Sequence, residues 1–302
     1  MVKGLNFAIN NQEKVNRKYR LTVQLTDDDD KPTNKAIVIT NPFTLNFNIN
    51  RSIFAEINGA DIEILNLAYD TYRELFWDYY SIGRRTVILE AGYDEKNMSV
   101  IFIGDLWSCY TSREGTETVT RMHCLVGLKA RNIQTDATLA NVSRFEILKY
   151  AANDMALGIK IYSGEDTKLT RPVELSGNSY GILQKYSDQN AFIDNNEIKV
   201  LAPYDAFEGY VPVIDDNSGL LGVPEHEDAI LTVRMIFEPR LVIGQIIEIK
   251  SQVAPMFNGQ YKIYGIRHEG TISDAVSGKA TTTLEMLIGS QVYGKFSIKS
   301  PQ

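Results

Sequence analysis

The sequence predicts a mainly β protein in which an α+β segment is inserted between two β regions. Apolar residues alternate with polar ones in short runs, as at Leu231, Val233 and Met235, and this is the period of half-buried strands. Glycine, proline and asparagine separate the runs, as turns require. Between about residues 136 and 212, helix-capping patterns followed by apolar stripes predict the inserted segment.

The first β region extends from about residue 18 to residue 130. One helix is expected inside it, because Thr71 and Glu74 are spaced as a capping box and Leu75, Phe76 and Tyr79 form an apolar stripe. The predicted strands cover residues 19–25, 36–39, 44–49, 60–67, 87–93, 101–106 and 119–124.

The inserted segment begins with a second capping box, formed by Ser143 and Glu146. Gly158 is the expected C-cap of this helix, since glycine accepts a positive φ. The apolar face of the helix comprises Phe145, Leu148, Ala152 and Met155. A strand at 159–162, a helix at 179–186 and a hairpin at 192–200 with an Asn195-Asn196 turn complete the segment.

The second β region contains four predicted strands, at 231–237, 245–250, 261–268 and 281–287. Pro239 ends the first of them, because proline cannot donate to a strand ladder. Gly244 precedes the second strand, and Asn258-Gly259 is interpreted as a tight turn before the third.

The two β regions resemble each other in the order of their glycines, strands and turns. A strand after Gly83 is followed by a turn and a strand ending at Gly104, and a strand after Gly244 is followed by a turn and a strand ending at Gly265. Gly92 and Gly265 are expected at strand ends where a side chain would clash or where φ is positive.

Composition narrows the class of protein. The chain has 302 residues, which is enough for two or three domains, and its net charge of −7 comes without a basic run typical of nucleic-acid binders. The sequence contains no run of 18 apolar residues, so no membrane-spanning helix is predicted, and the first residues do not resemble a signal peptide. We therefore expect assembly in a cytoplasm, with Cys109 and Cys124 as reduced buried thiols; a disulfide requires that their strands be neighbours.

The sequence contains no recognisable catalytic motif, and we expect no enzyme, no cofactor and no metal site. There are three histidines, His123 and His268 in predicted strands and His226 in a predicted loop, and none lies in a metal-binding or hydrolase motif. The aspartates at 27–30 lack the interleaved spacing of a calcium loop, so a solvated turn is expected. The carboxylates Glu225, Glu227 and Asp228 are interpreted as a surface loop. Trp77, Trp107 and the 16 tyrosines favour protein interfaces over sugar binding.

Several motifs resemble those of the central hub proteins of contractile phage baseplates, the late-control-D-like hub family. In the second β region they are Gly219-Leu220-Leu221-Gly222-Val223-Pro224, then Pro239 to Gly244, then Gly259-Gln260-Tyr261 through to His268-Glu269-Gly270. The first region has a similar succession, with strands ending in Ala91-Gly92-Tyr93 and Phe102-Ile103-Gly104. The family often has an aromatic residue before its final threonine-rich strand, where this chain has Lys279-Ala280.

The resemblance implies two tube-protein-like β-barrels, at residues 1–135 and 213–302, with a small α+β domain at 136–212. Three chains would present six barrels in a ring, so that a threefold spike could dock onto a sixfold tube. The implied partners are the homotrimer itself, a spike protein, the tail tube protein, baseplate wedge proteins and, as a further candidate, a tape measure protein. DNA would pass through the lumen without specific binding, and no membrane insertion is expected. The implied location is the tail baseplate of a virion that assembles in the host bacterial cytoplasm.

The residues that carry the motifs are the candidates for assembly: Gly92, Tyr93, Gly104, Gly219, Gly222, Pro224, Pro239, Gly244, Gly259, Tyr261, His268 and Gly270. Two other functions remain open. One is a tail-associated cell-wall hydrolase, although no inserted catalytic domain is recognisable. The other is a distal tail or receptor-binding module of a non-contractile phage, which would form hexamers where the hub forms trimers.

Overall fold

The computed structural model describes residues 14, 16–26, 32–54, 57–78, 84–275, 278–287 and 296–302. The strands are β1 (Lys18–Thr26), β2 (Pro32–Thr40), β3 (Leu45–Ser52), β4 (Gly59–Leu65), β5 (Thr86–Gly92), β6 (Ser99–Glu114), β7 (Glu117–Leu125), β8 (Gln134–Leu139), β9 (Gly158–Ile161), β10 (Val173–Asn178), β11 (Ala191–Asp194), β12 (Glu197–Val200), β13 (Asp205–Phe207), β14 (Val213–Asp215), β15 (Leu220–Glu227), β16 (Ile230–Ile236), β17 (Ile246–Lys250), β18 (Gly259–Ile272), β19 (Ala280–Leu287) and β20 (Ser297–Lys299). The helices are α1 (Tyr69–Leu75), α2 (Arg144–Asp154) and α3 (Ser179–Tyr186), with 3-10 turns at Ala130–Asn132 and Pro255–Phe257. In this part of the chain, no helix combines the length and the apolar character needed to cross a membrane.

The chain divides into two compact units. Unit 1 combines residues 1–125 with 209–294, and unit 2 combines residues 126–208 with 295–302. The expectation of a mainly β protein with few helices is confirmed. The three-part division at residues 135 and 212 remains a prediction.

One large sheet organises unit 1. Its hydrogen-bonded strands follow the order β15-β16-β19-β18-β3-β4-β7-β6-β5-β1-β2, with β17 joined to β18 and to β14 off this path. The neighbours on the path are antiparallel. At its centre, β3 and β18 pair over eight positions, from Leu45 opposite Ile272 to Ser52 opposite Gly265. The two β regions therefore share one sheet, and among the described strands its path does not close on itself.

The core of unit 1 lies on one side of this sheet. In β3 and β4 burial alternates along the strand, so that Leu45, Phe47, Ile49, Ile62 and Ile64 are buried while the residues between them are more exposed. This is the two-residue period that predicted the strands. The predicted strand at 101–106 belongs to the longer β6, and that at 261–268 belongs to the longer β18.

Unit 2 is built from two helices and three small sheets. Its pairs are β8 with β10, β9 with β12 with β11, and β13 with β20. Both predicted helices are present, and the capping box of Ser143 and Glu146 is formed in both directions. The β11–β12 hairpin turns through Asn195 and Asn196, at φ of 52° and 56°, which confirms the asparagine turn.

Two helix-end predictions were wrong. Thr71 lies inside α1, whose N-cap is Ala68 and has no side-chain cap, so the Thr71–Glu74 spacing does not cap this helix. Gly158 does not cap α2 but begins β9. The residue after the C-cap of α2 is Ala156, at φ 52°. Its amide donates to the Asn153 carbonyl at 3.0 Å, and the amide of Leu157 donates to the Ala152 carbonyl at 3.1 Å. These bonds form a Schellman motif in which alanine takes the place of glycine.

Other differences concern turns in unit 1. Asn258 is extended and Gly259 begins β18, so this pair ends an eight-residue loop instead of forming a tight turn. The Asn258 side chain closes that loop by accepting the Ser251 amide at 2.7 Å. Gly104 and Gly265 lie inside β6 and β18, the latter at a β-bulge, because both strands continue beyond them. The predicted turn at residues 27–30, Gly83 and Tyr79 lie outside the described residues.

Candidate assembly site

The side of the unit 1 sheet that faces away from the core is polar across both β regions. Directly paired residues of antiparallel strands project to the same side, so the strand register identifies the members of this surface. One row crosses five strands in order as Thr281, Glu269, Asn48, Asp61 and His123. We call the whole surface the polar face: Thr232, Arg234, Thr281, Thr283, Glu285, Arg267, Glu269, Thr271, Asn46, Asn48, Asn50, Asp61, Glu63, Arg121 and His123.

Most basic side chains of the polar face lie against carboxylates. Such exposed pairs contribute little to stability, and their main effect is to lower the net charge that the surface presents. The ion pairs are Arg121 Nε with Glu63 Oε1 at 2.9 Å and Arg234 Nη2 with Glu269 Oε1 at 3.3 Å, and His123 Nδ1 forms a hydrogen bond with Asp61 Oδ1 at 2.6 Å. The centre of the face, on β3, is neutral, because Asn46, Asn48 and Asn50 occupy it.

Behind the polar face, two motif residues meet where the β regions join. Phe237 follows β16, and its ring centroid lies 5.6 Å from that of Phe47 and 5.5 Å from that of His268. Tyr93 follows β5, and its hydroxyl donates to the Phe237 carbonyl at 2.7 Å. We call these four residues the aromatic junction. It links residues of both β regions through aromatic packing and one hydrogen bond.

His268 is a packed core residue. It is fully buried, and desolvation together with the nearby Arg51 charge lowers its pKa to about 3. The imidazole is therefore neutral near pH 7. Its Nδ1 lies 2.9 Å from the Thr282 hydroxyl, whose oxygen accepts the Glu238 amide at 2.8 Å. Since the hydroxyl oxygen already accepts that amide, its proton is free to be donated to Nδ1, which holds the ring in place.

The motif at Pro239 surrounds a buried carboxylate. Glu238 is 1% exposed, and Arg240 donates to both of its oxygens, from Nε at 2.7 Å and from Nη2 at 2.9 Å. Lys14 Nζ lies 3.6 Å from the same carboxylate. Burial lowers the pKa of Lys14 although Glu238 opposes this. The Glu238–Arg240 fork shapes the chain after β16.

Two motif glycines are required by close backbone approach. Gly270 pairs with Phe47 on β3 and with Ala280 on β19, at φ 150°. A Cβ at Gly270 would meet the Lys279 carbonyl and the Ala280 backbone, and it would lie 2.7 Å from the Ala280 Cβ. At Gly92, which ends β5 as predicted, a Cβ would lie 3.0 Å from the Asn97 carbonyl oxygen.

The remaining motif residues shape turns and strands. Gly219, Gly222 and Gly244 have φ of 101°, 73° and 89°, which glycine adopts without strain. Pro224 and Pro239 are buried, Gly104 packs against the Phe102 ring, and Gly259 begins β18. Tyr261 is buried and donates its hydroxyl to the Phe257 carbonyl at 2.9 Å. The structure brings together Tyr93 and His268, while the other motif residues are spread over unit 1.

The cysteines are free buried thiols on neighbouring strands. In the β6–β7 register Cys109 lies opposite Met122 and Cys124 lies opposite Leu106. Burial raises the pKa of the Cys109 thiol to about 12 and raises that of Cys124 as well. Both thiols are therefore protonated near neutral pH.

The exposed carboxylates near Pro224 form no enclosed site. His226 lies in β15, not in a loop as predicted, because Glu225, His226 and Glu227 pair with β16. Its ring lies 6.1 Å from that of Phe257. Within the described ranges, no three His, Cys, Asp or Glu residues are grouped so that they could hold a metal ion.

Sequence reasoning missed two buried cations. Arg51 is 1% exposed and donates from Nη1 to the Ile101 carbonyl at 3.0 Å, and Lys262 is fully buried with its Nζ 4.9 Å from the Tyr264 ring centroid. Arg51 interrupts the apolar alternation of β3, whereas Lys262 takes the polar position of an intact alternation between Tyr261 and Ile263. The sequence pattern therefore does not indicate that either cation is buried.

Comparison with solved structures identifies proteins of similar fold. The 43 kDa tail protein of prophage MuSo2 from Shewanella oneidensis has a TM-score of 0.59 at 7% identity, covering 92% of this chain and 99% of that one. A tail protein from Neisseria meningitidis has a TM-score of 0.54 at 8% identity, covering 90% and 97%. An E. coli component of the type VI secretion system, described as structurally similar to the T4 bacteriophage tail proteins gp27 and gp5, has a TM-score of 0.56 at 12% identity, covering 84% and 76%.

At these identities the structural likeness concerns the fold alone. No curated protein sequence matches the chain. The family comparison is decisive, because a sequence model described as baseplate hub gp41 matches residues 20–275, which include the aromatic junction and all of the polar face except its residues on β19. The chain belongs to the baseplate hub gp41 family of phage tail proteins.

Proposed function

We propose that this chain is the trimeric hub of a contractile-tail baseplate and joins the sixfold tail tube to the threefold spike. Membership of the baseplate hub family makes it a component of the virion tail. The observation that carries the finer proposal is the β3–β18 pairing, which places two β regions side by side in one sheet. Three such chains present six β regions, which is the number needed to match threefold to sixfold symmetry.

In this proposal each β region contributes one tube-like barrel, and the barrels close through contacts between chains. Heterologous contacts, in which one side of a subunit meets a different side of the next, generate closed rings. The sheet path offers two different ends for such contacts, at β15 and at β2. The spike, the tail tube, the baseplate wedge proteins and a tape measure protein are the proposed neighbours of the ring, after assembly in the host cytoplasm.

The part of the polar face that lies on β3, β4 and β7 is the proposed lining of the lumen. DNA is bound without sequence preference mainly by unpaired Lys and Arg contacts to phosphates, which release counterions. In this part of the face Arg121 lies against Glu63, and asparagines occupy β3. Such a surface lets DNA pass without holding it, so the hub acts by assembly and without covalent chemistry.

Native mass spectrometry of the purified full chain tests the proposal. A trimer across a range of protein concentrations supports the hub, and cryo-electron microscopy of that trimer should show a lumen lined by Asn48, Asn50 and Asp61. A monomer, a symmetric dimer or a hexamer contradicts the hub, and a hexamer would favour the distal-tail alternative.

A second measurement addresses the hydrolase alternative. Purified chain incubated with peptidoglycan should release no soluble sugar or peptide fragments. Release that persists through purification and disappears in the Glu225→Gln, Glu227→Gln double variant would contradict a purely structural role. Lys96→Glu, an exposed change in the same unit, is the control for nonspecific effects.

A further inference from the structure

A basic groove crosses one end of unit 1. Its volume is about 900 Å³, and it is lined by β15, β16, β18 and β19 together with the segment before β1. It therefore covers the β16 end of the polar face and shares Arg234, Arg267 and Glu269 with it. An apolar strip of Leu221, Val223 and Ile236 lies along it. Five cations line the groove, Lys14, Arg17, Arg234, Arg267 and Lys279, against two carboxylates, Glu225 and Glu269.

The excess of three positive charges in the groove contrasts with the chain's net charge of −7. Arg267 and Lys279 are exposed, and among the described residues neither side chain forms a hydrogen bond or an ion pair. Arg17 donates to the Gly278 carbonyl, which fixes its guanidinium at the groove without neutralising it. The groove therefore presents concentrated positive charge beside an apolar strip. This combination suits an acidic peptide segment with apolar neighbours better than a DNA backbone, which has no apolar residues to place on the strip.

The chain itself carries one strongly acidic run, the four aspartates at residues 27–30, between β1 and β2. These aspartates cannot reach the groove of their own chain. Arg17 at the groove directly precedes β1, and the nine residues of β1 extend about 26 Å away at roughly 3.3 Å per residue. Thr26 pairs with Pro32 at the far end, so only five residues connect the two strands there. A second copy is required to bring the run to the groove.

We propose that the groove binds the acidic run at residues 27–30 of the neighbouring copy in the ring. This inference rests on the proposed function and specifies one of its contacts. The run follows β1 and precedes β2, which ends the sheet path, whereas the groove borders β15, which begins it. A head-to-tail ring brings these opposite ends together at every subunit boundary. The contact selects the register of the ring by charge, and it weakens as salt screens the charges.

A labelled peptide of residues 24–34 tests the groove without requiring a ring. Titrated with the full chain at low salt, it should bind at least about tenfold more tightly than the same peptide with its four aspartates changed to asparagine. The Arg267→Glu, Lys279→Glu variant should lose this binding, whereas the matched Lys96→Glu, Arg113→Glu variant should keep it. Equal binding of both peptides, or displacement from the groove by a short DNA duplex at lower concentration than by the peptide, overturns the inference.

Assembly of the full chain separates this inference from the proposed function. Changing Asp27 to Asp30 to asparagine should raise the protein concentration needed for trimers by about tenfold or more, and Arg267→Glu, Lys279→Glu should do the same. Mixing that groove variant with a chain carrying lysines at 27–30 should favour mixed trimers. Trimers that form equally well in every variant, with no peptide binding, overturn the groove contact and leave the hub intact. Peptide binding without any trimer supports the contact and contradicts the hub.

Discussion

Replacing Gly270 by alanine should destabilise unit 1 more than any other single methyl addition at a motif glycine. The position lies between β3 and β19, so neither neighbour can move without disturbing its own ladder. A Cβ there would overlap the Lys279 carbonyl and the Ala280 backbone, and the φ of 150° belongs to a region that alanine avoids. Both penalties act in the folded state.

The size of the effect follows from these two causes. Unfavourable φ and ψ cost about 1–3 kcal/mol, and overpacking against backbone costs about 1–3 kcal/mol more. The free energy of unfolding should therefore fall by about 2–6 kcal/mol. For a unit of this size each kcal/mol lowers the melting temperature by about 2–4 °C, so a drop of roughly 4–24 °C is expected.

Gly222→Ala is the matched control in the same unit. Its φ of 73° is also unfavourable for alanine, but no atom lies within 4 Å of the added Cβ. Only backbone strain of about 1–2 kcal/mol should result. Urea unfolding monitored by tryptophan fluorescence, together with circular dichroism melting, measures both variants. A Gly270→Ala protein as stable as Gly222→Ala would refute the role assigned to close backbone approach.

Four further outcomes are expected from unfolding measurements. Gly92→Val should cost about 1–3 kcal/mol, because its Cβ meets the Asn97 carbonyl oxygen at 3.0 Å; unchanged melting and assembly would contradict this. Ala156→Gly should stabilise unit 2 by about 0.5–1 kcal/mol by relieving alanine at φ 52°, and a loss of stability would refute the Schellman assignment. Tyr93→Phe should cost about 0.5–1.5 kcal/mol through the lost hydrogen bond, and no change in the urea midpoint would count against that bond. The pKa of His268 is about 3 when folded and ordinary when unfolded, so its contribution is present above pH 6.5 and is lost as pH falls from 6.5 towards 3; His268→Gln should flatten that part of the profile.

The sequence predicted the strands well where burial alternates along them, as in β3, β4 and β16. Leu231, Val233 and Met235 face the core in β16 while their neighbours do not, and that period is visible without a structure. Helix ends were predicted less well. Ser143 and Thr71 have the same spacing to a glutamate, yet only Ser143 caps a helix, because the other helix already begins at Tyr69. The residue at which a helix begins depends on tertiary packing as well as on local sequence patterns.

The candidate surfaces could be predicted only in part. The motif residues Tyr93 and His268 are 175 positions apart, and no local pattern indicates that they meet around Phe237. The basic groove was missed for the same reason, since its cations come from separate parts of the sequence and only Lys14 and Arg17 stand close together. Such residues become neighbours through the register of the sheet. That register depends on pairing between strands that are distant in the sequence, which local patterns and composition do not predict.

The distribution of charge in unit 1 gives the two ends of the polar face different roles. On β4 and β7 Arg121 lies against Glu63, whereas at the other end Arg267 and the adjacent Lys279 have no carboxylate partner among the described residues and both line the groove. A lining for DNA needs neutralised cations, because every unpaired one adds a phosphate contact and slows passage. A boundary between subunits needs unpaired cations, because they select the acidic partner and fix its register. Ring closure would cover the groove cations with aspartates from the next copy. The surface left facing the lumen would then be the part of the polar face where asparagines lie at the centre and Arg121 is paired.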